Sequence, residues 1–219
     1  MAKRNYYLMI DTETAGSLDF PLVYDVGLAV IDKKGKIYKS YSLVIAEIFF
    51  GEKQKMKSAY YAAKIPMYEK HIYCGKKSVV SFWAAKRLIE KLINIYDIKA
   101  VVAHNASFDV KALNSTISYL ANYSETIFFE NDVNIWCTLA MARDTICKQT
   151  TYKKWCAANG YLKKNGGVRA TAEILYRYIS GNNDFIEYHT GLQDVLIEKE
   201  IFVKCLNQHK KMNKNPVNW

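Results

Sequence analysis

The stretch Asn5-Tyr6-Tyr7-Leu8-Met9-Ile10-Asp11-Thr12-Glu13-Thr14 decides how the rest of the chain is read. Tyr6 to Ile10 are aromatic or apolar side chains of the kind that fit a pleated sheet, and they run straight into two carboxylates. That is a buried strand with a polar end. In a strand Asp11 and Glu13 point to the same face, roughly 7 Å apart by the strand rise. Two like charges that close are unfavourable unless something positive sits between them. An exposed acidic strand end would also account for the pair.

Working outward, residues 24–32 read as a second strand, Lys33-Lys34-Gly35-Lys36 as a turn, and residues 37–48 as a third strand completing a hairpin. Residues 52–77 are Lys-rich and read as helix and loop. Ser81 caps a helix whose Phe82, Ala85, Ile89, Leu92 and Tyr96 keep a 3–4 spacing. Residues 99–104 form a fourth strand. A helix follows from Ser107, with Val110, Leu113, Ile117, Leu120 and Ala121 on one face. Ile135 and Trp136 mark a fifth strand before a helix over 140–146. Further helices cover 153–159, 171–180 and 191–206, the last two separated by Gly181-Asn182-Asn183. This order gives one α/β domain, residues 1–206, with a mixed five-stranded sheet flanked by helices. Residues 207–219 read as a basic tail that frays.

Composition narrows the function. The chain has 219 residues, 31 Lys and Arg against 21 Asp and Glu, and a formal charge of +10. Half of it is apolar, which excludes general disorder. No uncharged apolar run is long enough to span a membrane, and the stretch behind Met1-Ala2-Lys3-Arg4 is too short for a signal peptide. Cys74, Cys137, Cys147, Cys156 and Cys205 include no CxxC pair, so free thiols in a reducing, cytoplasmic setting are expected. The basic excess favours an anionic partner, nucleic acid first. Ten basic residues between Lys53 and Lys91 (53, 55, 57, 64, 70, 76, 77, 86, 87 and 91) face only Glu69 and Glu90. That run reads equally as a lane guiding a strand or as a solvated helical face.

Two more carboxylates stand where α/β sheets carry chemistry. Asp109 ends Ala103-His104-Asn105-Ala106-Ser107-Phe108-Asp109, at a strand-to-helix junction where the helix dipole alone would favour it. Asp194 ends His189-Thr190-Gly191-Leu192-Gln193-Asp194, on a helix so apolar that an unpaired carboxylate would be costly to bury.

Together these segments resemble the DEDDh 3′→5′ exonucleases, the group of the bacterial polymerase III proofreading subunit and of ribonuclease T. The family's D-x-E-T stands at Asp11–Thr14, its H-N-x-x-F-D at His104–Asp109, and its H-x4-D at His189–Asp194. The motifs occur in the family's order and cover roughly residues 5 to 206. Two departures stand out: Cys137 precedes Thr138-Leu139 where the family often has Asp, and the Lys-rich stretch aligns with no family motif.

The resemblance implies a ribonuclease H-like sheet, three antiparallel strands followed by two parallel ones. It implies two Mg²⁺ or Mn²⁺ ions, with Asp11 bridging both, Glu13 and Asp194 completing the water-activating site and Asp109 holding the second. His189 would take the proton from the attacking water, while Thr12, Thr14, Asn105 and Phe108 would contact substrate. The implied activity removes nucleoside 5′-monophosphates from 3′ ends of single-stranded nucleic acid, DNA favoured. An exoribonuclease of the same fold is the first alternative. An inactive binding module is the second, opposed by five intact active-site residues. No membrane partner is expected, and no polymerase-binding segment is recognisable. His104 reads as holding its turn, and His71 and His209 as surface residues.

Overall fold

The computed structural model describes residues 5–216. Its elements in order are β1 (Tyr6–Gly16), β2 (Pro21–Asp32), β3 (Ile37–Ile45), α1 (Ala46–Phe49), α2 (Lys53–Lys57), α3 (Ile65–Tyr73), β4 (Ser78–Val80), α4 (Phe82–Tyr96), β5 (Ile98–Ala103), α5 (Ala106–Leu120), β6 (Ile135–Cys137), α6 (Thr138–Asp144), α7 (Thr150–Ala158), α8 (Ala172–Ser180) and α9 (Gly191–Leu206). The strands form one mixed sheet in the order β4-β3-β2-β1-β5-β6. β2 pairs antiparallel with β1 and β3, and the other three pairings are parallel.

The α/β architecture is the expected one, with a sixth strand added. β4 pairs with Leu43–Ile45 of β3 at the sheet edge. Three residues are too few to show an alternation, and they close a Lys-rich run whose composition points to helix and loop. Strand ends also move: β1 continues past Thr14 to Gly16, β2 starts at Pro21, and β3 stops at Ile45, where the chain turns into α1. The tail does not fray at its described end. Cys137 N–H donates to Lys214 O at 2.7 Å, Asn213 N–H to Asp144 Oδ2 at 2.9 Å, and the Lys214 ammonium lies 4.1 Å above the Trp136 ring. All five cysteines are free thiols.

Alternation along β1 and β2 sorts side chains into two layers. Leu8, Ile10, Val26, Leu28 and Val30 pack with Ile89 and Leu92 of α4 and Leu113 and Ile117 of α5. Tyr7, Met9, Ala29 and Ile31 pack with Leu175 of α8 and Ile201 and Phe202 of α9. Each such apolar side chain, once buried, contributes about 1.5–3 kcal/mol, so the register of β1 against β2 is strongly specified. Continuing the alternation puts Asp11, Glu13, Asp25 and Gly27 on the face that α9 covers. The same pattern that builds the core therefore aims the carboxylates.

Candidate metal centre

In the β1–β2 ladder Asp11 stands opposite Gly27 and Glu13 opposite Asp25. The missing side chain at Gly27 lets α9 reach them. A Cβ on Gly27 would lie 2.0 Å from the Gly191 carbonyl carbon, and one on Gly191 would lie 2.4 Å from Gly27 N. Backbone meets backbone there, and Asp194, in the first turn of α9, comes over the β1 carboxylates.

Asp109 arrives from the first turn of α5. Its Oδ1 accepts the Thr12 N–H at 3.0 Å and the Thr12 hydroxyl at 2.9 Å, so the side chain between Asp11 and Glu13 ties α5 to β1. Asn105 opens α5 in the left-handed region at φ +66°, which Asn adopts more readily than most residues. His189 lies on the loop two residues before α9, also left-handed, at φ +50°. Gly191, two residues on, serves the close approach to β2. The His189 ring stacks on Tyr61 (centroids 4.5 Å apart, planes 17° apart), and Lys64 Nζ donates to the carbonyls of Tyr188 and His189.

One ligand atom each from Glu13, His189 and Asp194 lie within 4.8 Å of one another. Asp11 and Asp109 stand outside that trio but line the same cleft, of about 590 Å³, as do Thr12, Asn105 and Phe108. Thr14 does not line it: the ladder shifts register between Glu13 and Thr14, ending the alternation that carries Asp11 and Glu13.

Burial, then the charges of Glu198, Asp109, Glu13 and Asp194, hold the Asp11 carboxyl well above the usual carboxylate range. Burial, with Asp194 and Asp25, pushes Glu13 up to about 9. Asp194 is raised to about 8 by burial and Glu187. Asp109 is raised to about 7 by burial, against the pull of its two bonds from Thr12. Lys64 opposes the rise in Glu13, Asp194 and Glu187. Asp11 Oδ2 and Asp194 Oδ1 are buried without hydrogen-bond partners. Oxygen donors dominate, the cleft's carboxylates outnumber its cations and lone pairs are left over. This donor set fits hard divalent cations.

No family model matches the sequence, and no curated protein matches it. Solved structures do match. E. coli exonuclease I in complex with a 5cy-dT13 oligonucleotide superposes with a TM-score of 0.55 at 13% identity, over 94% of this chain and 41% of that chain. With a dA16 oligonucleotide the same enzyme gives 0.52 at 15% identity, over 93% and 41%. Exonuclease X in complex with 5′ overhanging duplex DNA gives 0.47 at 19% identity, over 92% of both chains. The fold is ribonuclease H-like. This chain spans about two fifths of the length of exonuclease I.

Several residues at the centre escaped the sequence reading. Glu198 is buried, lines the cleft and accepts the His104 N–H at 3.2 Å through Oε2. Its i+4 spacing from Asp194 was the available signal. Glu187 also lines the cleft. His104 is locked by its ring: Nδ1 lies 2.9 Å from Thr138 Oγ1 and Nε2 3.0 Å from Ala170 O. Burial lowers it to about 4, so it is a neutral structural imidazole. The cations in the cleft wall are Arg143, Lys163 and Arg169. Lys163 and Arg169 sit on a small hairpin bridged at Leu162 and Val168. From the Lys53–Lys91 run, Lys64 reaches the His189 loop and Lys77 is buried, while Lys55 and Lys86 pair with Glu52 and Glu90.

Proposed function

We propose that this chain is a metal-dependent nuclease that removes nucleoside 5′-monophosphates from the 3′ end of single-stranded nucleic acid, DNA in preference to RNA. One observation carries the reading: Asp11, Glu13, Asp109, Asp194 and His189, drawn from three distant segments, line one cleft beside three cations. The oligonucleotides held by exonuclease I, and the single-stranded DNA of a further complex of that enzyme, support a strand as the occupant.

Asp11, Glu13, Asp109 and Asp194 would hold two divalent ions, Mg²⁺ or Mn²⁺, which when bound supply an activated water and stabilise charge on the leaving 3′ oxygen. Asp109 offers Oδ2, because Thr12 occupies Oδ1. Burial, helped by the charge of Lys64, lowers the His189 imidazole below its ordinary value, which favours the neutral form that can accept a proton. Its Nδ1 is turned to Glu187 Oε2, 3.9 Å away, which leaves Nε2 to take the proton of the attacking water. Arg143, Lys163 and Arg169 bind the phosphates and orient the strand. Incubation with 3′- and 5′-labelled single strands of DNA and RNA, with and without Mg²⁺, tests the proposal. Mononucleotide release from the 3′ label, with progressive shortening of 5′-labelled DNA, is the expected result. Release from the 5′ end, or internal cleavage, would overturn it.

A further inference from the structure

Asp25 is a fully buried carboxylate that no step of the proposed hydrolysis uses. It lies opposite Glu13 in the ladder, on the face turned to α9. Three donors converge on its Oδ2: Lys77 Nζ at 2.7 Å, the Tyr68 hydroxyl at 2.6 Å and the Gly191 N–H at 3.0 Å. Oδ1 is buried and takes no bond. Lys77 is nearly as deep, its side chain 4% exposed. Its ammonium also donates to Ser42 Oγ at 3.0 Å and sits 4.5 Å from the Tyr68 ring centre.

Taking both charges out of water is costly, and an apolar pair of similar volume would fill the same space with less penalty. What an apolar pair could not do is hold the Gly191 amide. That N–H begins α9, where no intrahelical acceptor exists for it. Two residues upstream stands His189, and the other grip on its turn comes from the same stretch of chain. Lys64 holds the carbonyls of Tyr188 and His189, and Tyr61 stacks on the imidazole. Residues 61–77, acting directly and through Asp25, therefore hold the 188–191 turn at both of its ends.

We infer that Asp25 and Lys77 are positioning residues that fix the Gly191 amide and thereby aim the His189 imidazole into the cleft. The inference rests on the proposed role of His189 as the base. It gives Lys77, one of ten cations in a run that composition marks as surface, a buried architectural task.

The test compares Asp25→Asn and Lys77→Met with Lys70→Ala, an exposed control from the same segment, and with Lys77→Arg as the conservative variant. Three readouts are taken: the ¹⁵N resonances of the His189 ring, Mn²⁺ affinity, and kcat and KM on single-stranded DNA. Asp25→Asn and Lys77→Met should shift the His189 resonances and leave those of His209 in place. They should lower kcat roughly tenfold or more with little change in KM. Lys77→Arg should recover most of the loss, and Lys70→Ala should match the parent. Tyr68→Phe removes one donor and no charge; it should show the same pattern at smaller amplitude, and it serves if the charge variants fail to fold. Folded variants, Tyr68→Phe included, with His189 resonances unmoved would overturn the inference. Because those resonances are read without turnover, absence of nuclease activity in the parent would count against the proposed function and leave this test intact.

Discussion

Replacing Gly27 by Ala puts a methyl group where the backbone of α9 already stands. The new Cβ would lie 2.0 Å from the Gly191 carbonyl carbon, 2.2 Å from its oxygen and 2.2 Å from Leu192 N. Ordinary contact begins near 3.4 Å, so the first turn of α9 must retreat by about 1.4 Å. All three obstructing atoms are backbone, and no rotamer change relieves them. Asp194 rides on that turn and would draw away from Glu13, with which it now shares a 4.8 Å cluster. Overpacking of this kind costs about 1–3 kcal/mol, which a domain with two buried layers should survive. A displacement of about 1 Å at a catalytic group costs about a hundredfold in rate. Calorimetric titration with Mn²⁺, a thermal melt and turnover on single-stranded DNA together make the assay. A cooperative melt, Mn²⁺ affinity weakened roughly tenfold and turnover reduced roughly a hundredfold are expected. Gly27→Ala protein with parental Mn²⁺ affinity and turnover would refute the close-approach argument.

His189→Ala should lower turnover by roughly a hundredfold or more and keep most Mn²⁺ affinity. In the parent, activity should fall as pH drops through the His189 pKa, which lies below 6.5, and the variant should lose that acid limb; a variant of near-parental rate would remove His189 as the base. In chelated protein, Glu13, Asp194 and Asp109 titrate at about 9, 8 and 7, above the ordinary carboxylate range near 4. The native state then binds more protons than the unfolded one, so this stability is full below about pH 4 and lost as pH rises through 7 to 9. Melting temperature in EDTA should therefore decline from pH 5 to 9 and hold level in Mg²⁺; a rise in EDTA would contradict the clustering. Joint replacement of Arg143, Lys163 and Arg169 by Ala should flatten the salt slope of strand binding by roughly 2. Replacing Lys53, Lys55 and Lys57 should leave it unchanged, and the opposite ranking would restore the Lys53–Lys91 lane.

What the sequence shows and what it hides divide along physical lines. Asp11 and Glu13 stand out because they interrupt an apolar strand, and Asp109 and Asp194 because they open helices after recognisable turns. Glu198 does not, since Glu198-Lys199-Glu200 has the composition of a solvated helix face although Glu198 itself is buried. Lys77 is hidden the same way: charge counting cannot separate one buried ammonium from nine neighbouring cations. Asp25 belongs to a strand buried from end to end, where only its partners from α3, β4's approach and α9 reveal why a carboxylate is tolerated. The cations that line the cleft come from Arg143 and a hairpin near residue 165, two places with no charge run to mark them.

The central claim is that the converging carboxylates work by holding divalent ions, and re-titration of chelated protein with Mg²⁺ tests it most directly. Turnover on a 5′-labelled single strand should be absent in EDTA, return saturably as Mg²⁺ is restored, and stay absent at every Mg²⁺ concentration in Asp11→Asn protein, whose metal-free melting temperature at pH 8 should be equal to or above the parent's. Turnover undiminished in excess EDTA, or parental turnover in folded Asp11→Asn protein, would contradict it.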